Sequence, residues 1–150
     1  MTNVGLQNLI FGDLQRIVLA ITTGAAWEIW MQVELAILMR QNNIQAARET
    51  PYPPPNQASL LDLLAQDDTG IYAIEMKVES ANNAGTALMT AINSDRAKLA
   101  NYLPNPGTRW VVGIGYSSAA LNAMQLFALT PANDAIFAIQ GGIGVLVATV

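Results

Sequence analysis

Two short apolar runs, 59–65 (SLLDLLA) and 71–79 (IYAIEMKVE), flank the turn-forming segment 66–70 (QDDTG), and no other feature constrains the chain as tightly. Apolar runs of this length joined by Asp, Thr and Gly predict an antiparallel hairpin. Each run is broken by ionisable residues: Asp62 in the first, Glu75 and Lys77 in the second. Side chains two apart on a strand share a face, so Glu75 and Lys77 point the same way. Hairpin pairing can set Asp62 beside them. A solvated strand face would alternate polar and apolar residues, which LLDLLA and IYAIEMK do not. Two carboxylates and one ammonium group are therefore expected to converge in apolar surroundings. The plainer alternative is an ion pair between Lys77 and either carboxylate.

The rest of the chain supplies the frame. Residues 6–20 carry apolar side chains at helical spacing, and 25–41 (AAWEIWMQVELAILMRQ) predict a second helix ended by Asn42-Asn43. On that helix Trp27, Trp30, Met31 and Leu38 share a face with Glu34, where a carboxylate is costly unless something binds it. A short strand over 44–49 precedes 50–55, whose prolines exclude a sheet interior. A long helix over 82–102 closes at 103–107 (LPNPG), 109–116 (RWVVGIGY) predict a buried strand, and Ser117-Ser118 open a helix to about 128. One or two strands over 135–148 end the chain. The order is mixed α/β, in one domain: an N-terminal helix in 1–24, a core over 25–116, and a C-terminal helix with strands over 117–150.

Composition removes most alternatives. The chain has no Cys and no His, which excludes disulfides, thiol nucleophiles, Ser-His-Asp chemistry and His- or Cys-ligated zinc. Any metal site must use oxygen ligands, which suits Mg²⁺ or Mn²⁺. Apolar stretches are interrupted before the ~20 residues a spanning helix needs, so no membrane role is expected and a cytoplasmic location is. The net charge of −4 opposes a strong free-standing nucleic-acid binder.

Asp62, twelve intervening residues, then Glu75-Met76-Lys77 resembles the motif of the PD-(D/E)xK, or restriction-endonuclease-like, nuclease superfamily. IYAIEMKVES is most similar to the third core strand of Holliday-junction-resolvase-like endonucleases, although Leu61 stands where the motif's proline would be. The resemblance spans roughly residues 25–116 and implies an αβββαβ core, a mixed central sheet flanked by helices. It also implies a metal-dependent endonuclease that hydrolyses phosphodiester bonds in DNA. Asp62 and Glu75 would be metal ligands, the Met76 carbonyl a further ligand and Lys77 the catalytic lysine. Glu34 is the chosen helix glutamate and Glu28 the fallback; Asp95, Arg96 and Lys98 are available on the following helix. Two other readings stay open: a catalytically degenerate binding or assembly module, and an immunity-type interaction protein.

The remaining features carry less. Gly113-x-Gly115 and Gly141-Gly142-x-Gly144 complete no phosphate-loop motif and predict close packing or turns, while Ser117-Ser118 predict a helix cap. From Trp110 to Val150 the only charged side chain is Asp134. So neutral a third of the chain predicts deep core, or a contact with a second copy or another protein.

Overall fold

The computed structural model describes residues 1–24, 26–102 and 107–150. Helices α1 (Asn3–Phe11), α2 (Leu14–Thr22) and α3 (Glu28–Gln41) lead into strands β1 (Gln45–Pro51), β2 (Leu60–Asp67) and β3 (Gly70–Val78). Helix α4 (Ala87–Leu99), strand β4 (Gly107–Gly115), helix α5 (Ser118–Ala128), a turn of 3-10 helix at Pro131–Asn133, and strands β5 (Ala135–Gln140) and β6 (Ile143–Thr149) follow. The fold is α/β: one six-stranded mixed sheet in the order β1-β2-β3-β4-β6-β5, flanked by helices. All neighbours are antiparallel except β3 and β4, which run parallel across the α4 crossover. From α3 to β4 the elements follow the expected order α-β-β-β-α-β.

Strand alternation divides the core between the two faces. Tyr72, Ile74, Met76, Val78, Val112, Ile114, Val145 and Val147 pack under the N-terminal helices with Leu6, Ile10, Ile17, Met31 and Leu35. Ala73, Val111 and Leu146 face the other way, toward Leu88, Ile92 and Leu99 of α4 and Ala120 and Met124 of α5. The expected close packing at the β4 glycines is present. A Cβ on Gly113 would lie 2.4 Å from Ile92 Cδ1, and one on Gly115 2.9 Å from Met124 Cε. Only bare backbone lets α4 and α5 approach so near.

Several boundaries differ from expectation, α3 beginning at Glu28 rather than 25 among them. The first helix is two, bent by 63° at Gly12-Asp13, residues that hold helix poorly. The bend allows Leu6 and Ile10 of one helix and Ile17 of the other to reach the same core. Helix α4 begins at Ala87 rather than 82, because Gly85 takes a φ of 59° and gives its N–H to Glu79 at 2.8 Å. Strand β1 runs to Pro51, which an edge strand tolerates. The expected closing segment 103–106 lies outside the described residues. Among the described residues no single helix is long and apolar enough to cross a membrane.

Candidate metal centre

The hairpin is paired from the turn up to Leu63↔Ile74, and there the ladder stops. Beyond that point β3 leaves β2, while β1 loses its pairing opposite Asp62, at Glu49, whose φ is 53°. Leu63 packs on one side of the sheet and Leu61 on the other, so β2 rotates about Asp62. Even-numbered residues of β3 present their amide edge to this opening, and carboxylates take the place of the lost strand partner. Met76 N–H donates to Asp62 Oδ2 at 2.7 Å, and Val78 N–H makes a long contact with Glu28 Oε2 at 3.5 Å. The Met76 carbonyl lies on the same edge, because N–H and C=O of one strand residue point the same way.

On the α4 side of the opening, Asp62, Glu75 and Asp95 bring one carboxylate oxygen each within 4.8 Å of one another. Asp95 arrives there because it continues the buried stripe of α4 formed by Leu88, Ile92 and Leu99. Lys77 Nζ lies 2.7 Å from Glu28 Oε1 and 3.3 Å from Asp95 Oδ2. Lys98 Nζ lies 2.8 Å from Glu75 Oε1, donates to the Leu60 carbonyl at 3.0 Å, and sits 5.3 Å from the centre of the Tyr52 ring. Tyr52, delivered by the start of the β1–β2 connection, donates its hydroxyl to Glu75 Oε1 at 2.6 Å.

The electrostatics are those of crowded negative charge. Burial, then the charge of Asp62, push the Glu75 carboxyl up to about 7, against the opposing pull of Lys98 and Tyr52. Burial also raises Asp95 above the usual carboxylate range, with Lys77 opposing and Asp62 adding. Burial would lower Lys77, but its hydrogen bond to Glu28 and the charges of Asp95, Glu28 and Asp62 raise it, so it stays an ammonium ion. Burial raises the Tyr52 hydroxyl, and its hydrogen bond to Glu75 raises it further. Four carboxylates, Glu28, Asp62, Glu75 and Asp95, face two ammonium groups, Lys77 and Lys98. Ionised, the cluster carries two uncompensated negative charges.

A divalent cation fits this centre. Its side-chain donors are all carboxylate oxygens, the hard ligands that Mg²⁺ and Mn²⁺ take. Asp95 Oδ2 is buried with no hydrogen-bond partner among the described residues, its contact with Lys77 being a longer ion pair. Asp62, Glu75 and Asp95 would hold the ion.

Asp62, Glu75 and Lys77 thus meet as expected, with Met76 on the rim of the opening. Glu34 does not join them. It is buried as its helix position implied, but both its oxygens are taken by Arg16 of α2, at 2.8 and 2.9 Å. Burial raises its carboxyl and Arg16 pulls it back. The helix carboxylate at the site is Glu28, whose place in the first turn of α3 puts it at the opening of the hairpin. Of the residues offered by α4, Asp95 and Lys98 are present, whereas Arg96 turns to Asn133 and the Phe127 ring. Tyr52 has no distinguishing signal in its proline-rich surroundings.

Comparison with known protein families, with curated proteins and with solved structures finds no match to this chain.

Proposed function

We propose that this chain is a metal-dependent nuclease that hydrolyses phosphodiester bonds, with DNA as its substrate and Mg²⁺ or Mn²⁺ as its cofactor. The reading rests on one observation above all. Asp62, Glu75 and Asp95 converge beside Lys77 where the hairpin ladder opens, and when fully ionised the cluster carries an excess of two negative charges. A closed set of structural ion pairs would balance its charges, whereas here the ionised carboxylates outnumber the ammonium groups by two, an excess that a dication would neutralise. The α-β-β-β-α-β order and the Asp…Glu-x-Lys spacing agree with the PD-(D/E)xK nuclease resemblance.

A bound dication would polarise the scissile phosphate and lower the pKa of a coordinated water. The protein's own groups do the rest. Asp62, Glu75 and Asp95 would hold the ion, with the Met76 carbonyl, on the same strand edge, a candidate further donor. Lys77 keeps its proton and orients the attacking water or neutralises charge developing on the phosphate. Glu28 holds the Lys77 ammonium in place. Tyr52 and Lys98 fix the rotamer of Glu75 from the outer side. On an acidic chain the substrate's backbone must be met locally, and Lys98, partly exposed at the rim, is placed to do so.

The test is cleavage of plasmid and branched DNA with Mg²⁺ or Mn²⁺, comparing wild type with Glu75→Ala and Lys77→Ala. Metal-dependent cleavage that disappears in both variants is the expected result. Absence of cleavage together with absence of Mn²⁺ binding by calorimetry would sink the reading for the free chain.

A further inference from the structure

The two edges of the sheet are built differently. Strand β1 carries Arg48, Glu49 with its positive φ, and Pro51, which are features that discourage a further strand from pairing. Strand β5, at the other edge, has the sequence AIFAIQ: no charge, no proline and no irregular residue. Its free side follows from its pairing with β6. Gly141 and Gly142, with φ of 54° and 80°, form a two-residue turn, so Gln140 and Ile143 exchange both backbone hydrogen bonds. Such pairs recur at every second residue, and the Thr149 N–H to Asp134 carbonyl bond at 2.9 Å continues the series. Ala135, Phe137 and Ile139 therefore direct N–H and C=O away from β6, along the edge.

Both faces of β5 are apolar and only half covered. Ile136 and Ala138 pack against the cluster beneath the N-terminal helices, Ala135 and Phe137 against the one beneath α4 and α5, and Ile139 is 48% exposed. Leu126 and Leu129 at the end of α5, the helix packed on this part of the sheet, are 67% and 71% exposed. An uncharged, open edge with apolar side chains on both faces calls for another strand of the same character.

We propose that the β5 edge docks a second copy of this chain, the two β5 strands pairing antiparallel about a two-fold axis at Phe137. That register sets Phe137 opposite Phe137 and Ala135 opposite Ile139, so the free backbone groups of each strand meet those of the other. It also suits the one charged side chain of the C-terminal segment: Asp134 comes opposite Gln140 of the other copy, whereas a parallel pairing would bring two Asp134 carboxylates together. The sheet then runs continuously through both copies. This dimer is independent of the nuclease reading.

Sedimentation equilibrium of the full chain over a micromolar concentration series tests it, with Ile139→Pro and Ile139→Lys as variants. Ile139→Pro removes one outward N–H without touching the β6 ladder. The wild type is expected at twice the monomer mass and both variants at the monomer mass, with circular dichroism unchanged. Amide exchange on the wild type gives a second readout should a variant fail to fold. Exchange at Ala135, Phe137 and Ile139 should slow as concentration rises. A wild type that stays monomeric would overturn the proposal. So would a dimer that survives both substitutions, or one whose formation leaves those three amides unprotected.

Discussion

Glu75 and Glu79 sit four residues apart along one extended segment, each with 1% of its surface exposed, yet they live in opposite electrostatic worlds. Glu79 accepts the N–H groups of Gly85, Tyr116 and Ser117 at 2.7 to 2.8 Å, and the Ser117 hydroxyl as well. Burial would raise its carboxyl, but these hydrogen bonds win and lower it. Among the described residues Glu75 has only the Tyr52 hydroxyl and Lys98 on one oxygen, beside a neighbouring carboxylate, and its carboxyl is pushed up to about 7. Burial alone therefore does not mark a functional carboxylate. The mark is burial with too few donors and a second negative charge nearby. Glu79 holds the α5 N-terminus to the end of β3; Glu75 has capacity left for a cation.

The sharpest way to break this contrast is to make the same isosteric change at both positions. Glu75→Gln should cut metal-dependent DNA cleavage by roughly 10³-fold, the scale for losing one preorganised electrostatic contact in a transition state. The protein should remain folded by circular dichroism. Glu79→Gln should leave the folded fraction active. Equal losses of activity in the two variants would remove the distinction. The next largest effect concerns stability. Glu79→Ala strands the Tyr116 and Ser117 N–H groups and should cost about 2–3 kcal/mol in urea unfolding. A loss below about 0.5 kcal/mol would mean that water replaces the carboxylate at no cost.

The Glu75 side of this contrast is legible in the amino-acid sequence, for reasons that can be named, whereas Glu79 gives no sign there of its donors. The hairpin is readable because its apolar runs and turn residues agree, and the convergence of Asp62, Glu75 and Lys77 follows from that pairing. Asp95 leaves a signal as well: it stands in the 88, 92, 95, 99 stripe of α4, where a carboxylate is out of place. The choice of Glu34 fails because an apolar stripe reports burial and not partners. Its partner Arg16 is brought in by α2, which the 63° bend turns away from α1, and unbroken helical periodicity over 6–20 hides that bend. Tyr52 depends on the path of a proline-rich connection, which carries no periodicity at all.

Titration offers a finer test, because the two glutamates should have opposite pH signatures. Glu79 is lowered on folding, so the native state binds its proton less tightly than the unfolded chain, and its contribution is lost as pH falls below about 4.5. Glu75 is raised, so between about 4.5 and 7 the native state holds more protons, and stability falls as pH rises. With no divalent ion present, wild type should lose about 2 kcal/mol between pH 5 and pH 7 relative to Glu75→Gln. The variant is the reference because Asp95 and Glu34 are also raised and act in the same direction. Saturating Mn²⁺ should reverse the sign, since the cation binds the ionised carboxylate. A wild-type slope that matches Glu75→Gln in both conditions would return Glu75 to the structural class of Glu79.

The smallest effect isolates the counter-ion. Lys98 occupies the Glu75 oxygen that a dication would share, so Lys98→Met should tighten Mn²⁺ binding. Its side chain is 36% exposed and solvent screens the pair, which limits the gain to about fivefold. The measurement belongs at pH 8, above the Glu75 titration, because removing Lys98 also removes a charge that lowers the Glu75 carboxyl. Near pH 7 the two consequences oppose each other and would partly cancel. Tighter binding in calorimetry, accompanied by slower DNA cleavage, would show that Lys98 competes with the cation at rest and faces the phosphate during turnover. Weaker binding would show instead that Lys98, like the donors around Glu79, serves to hold its glutamate in place.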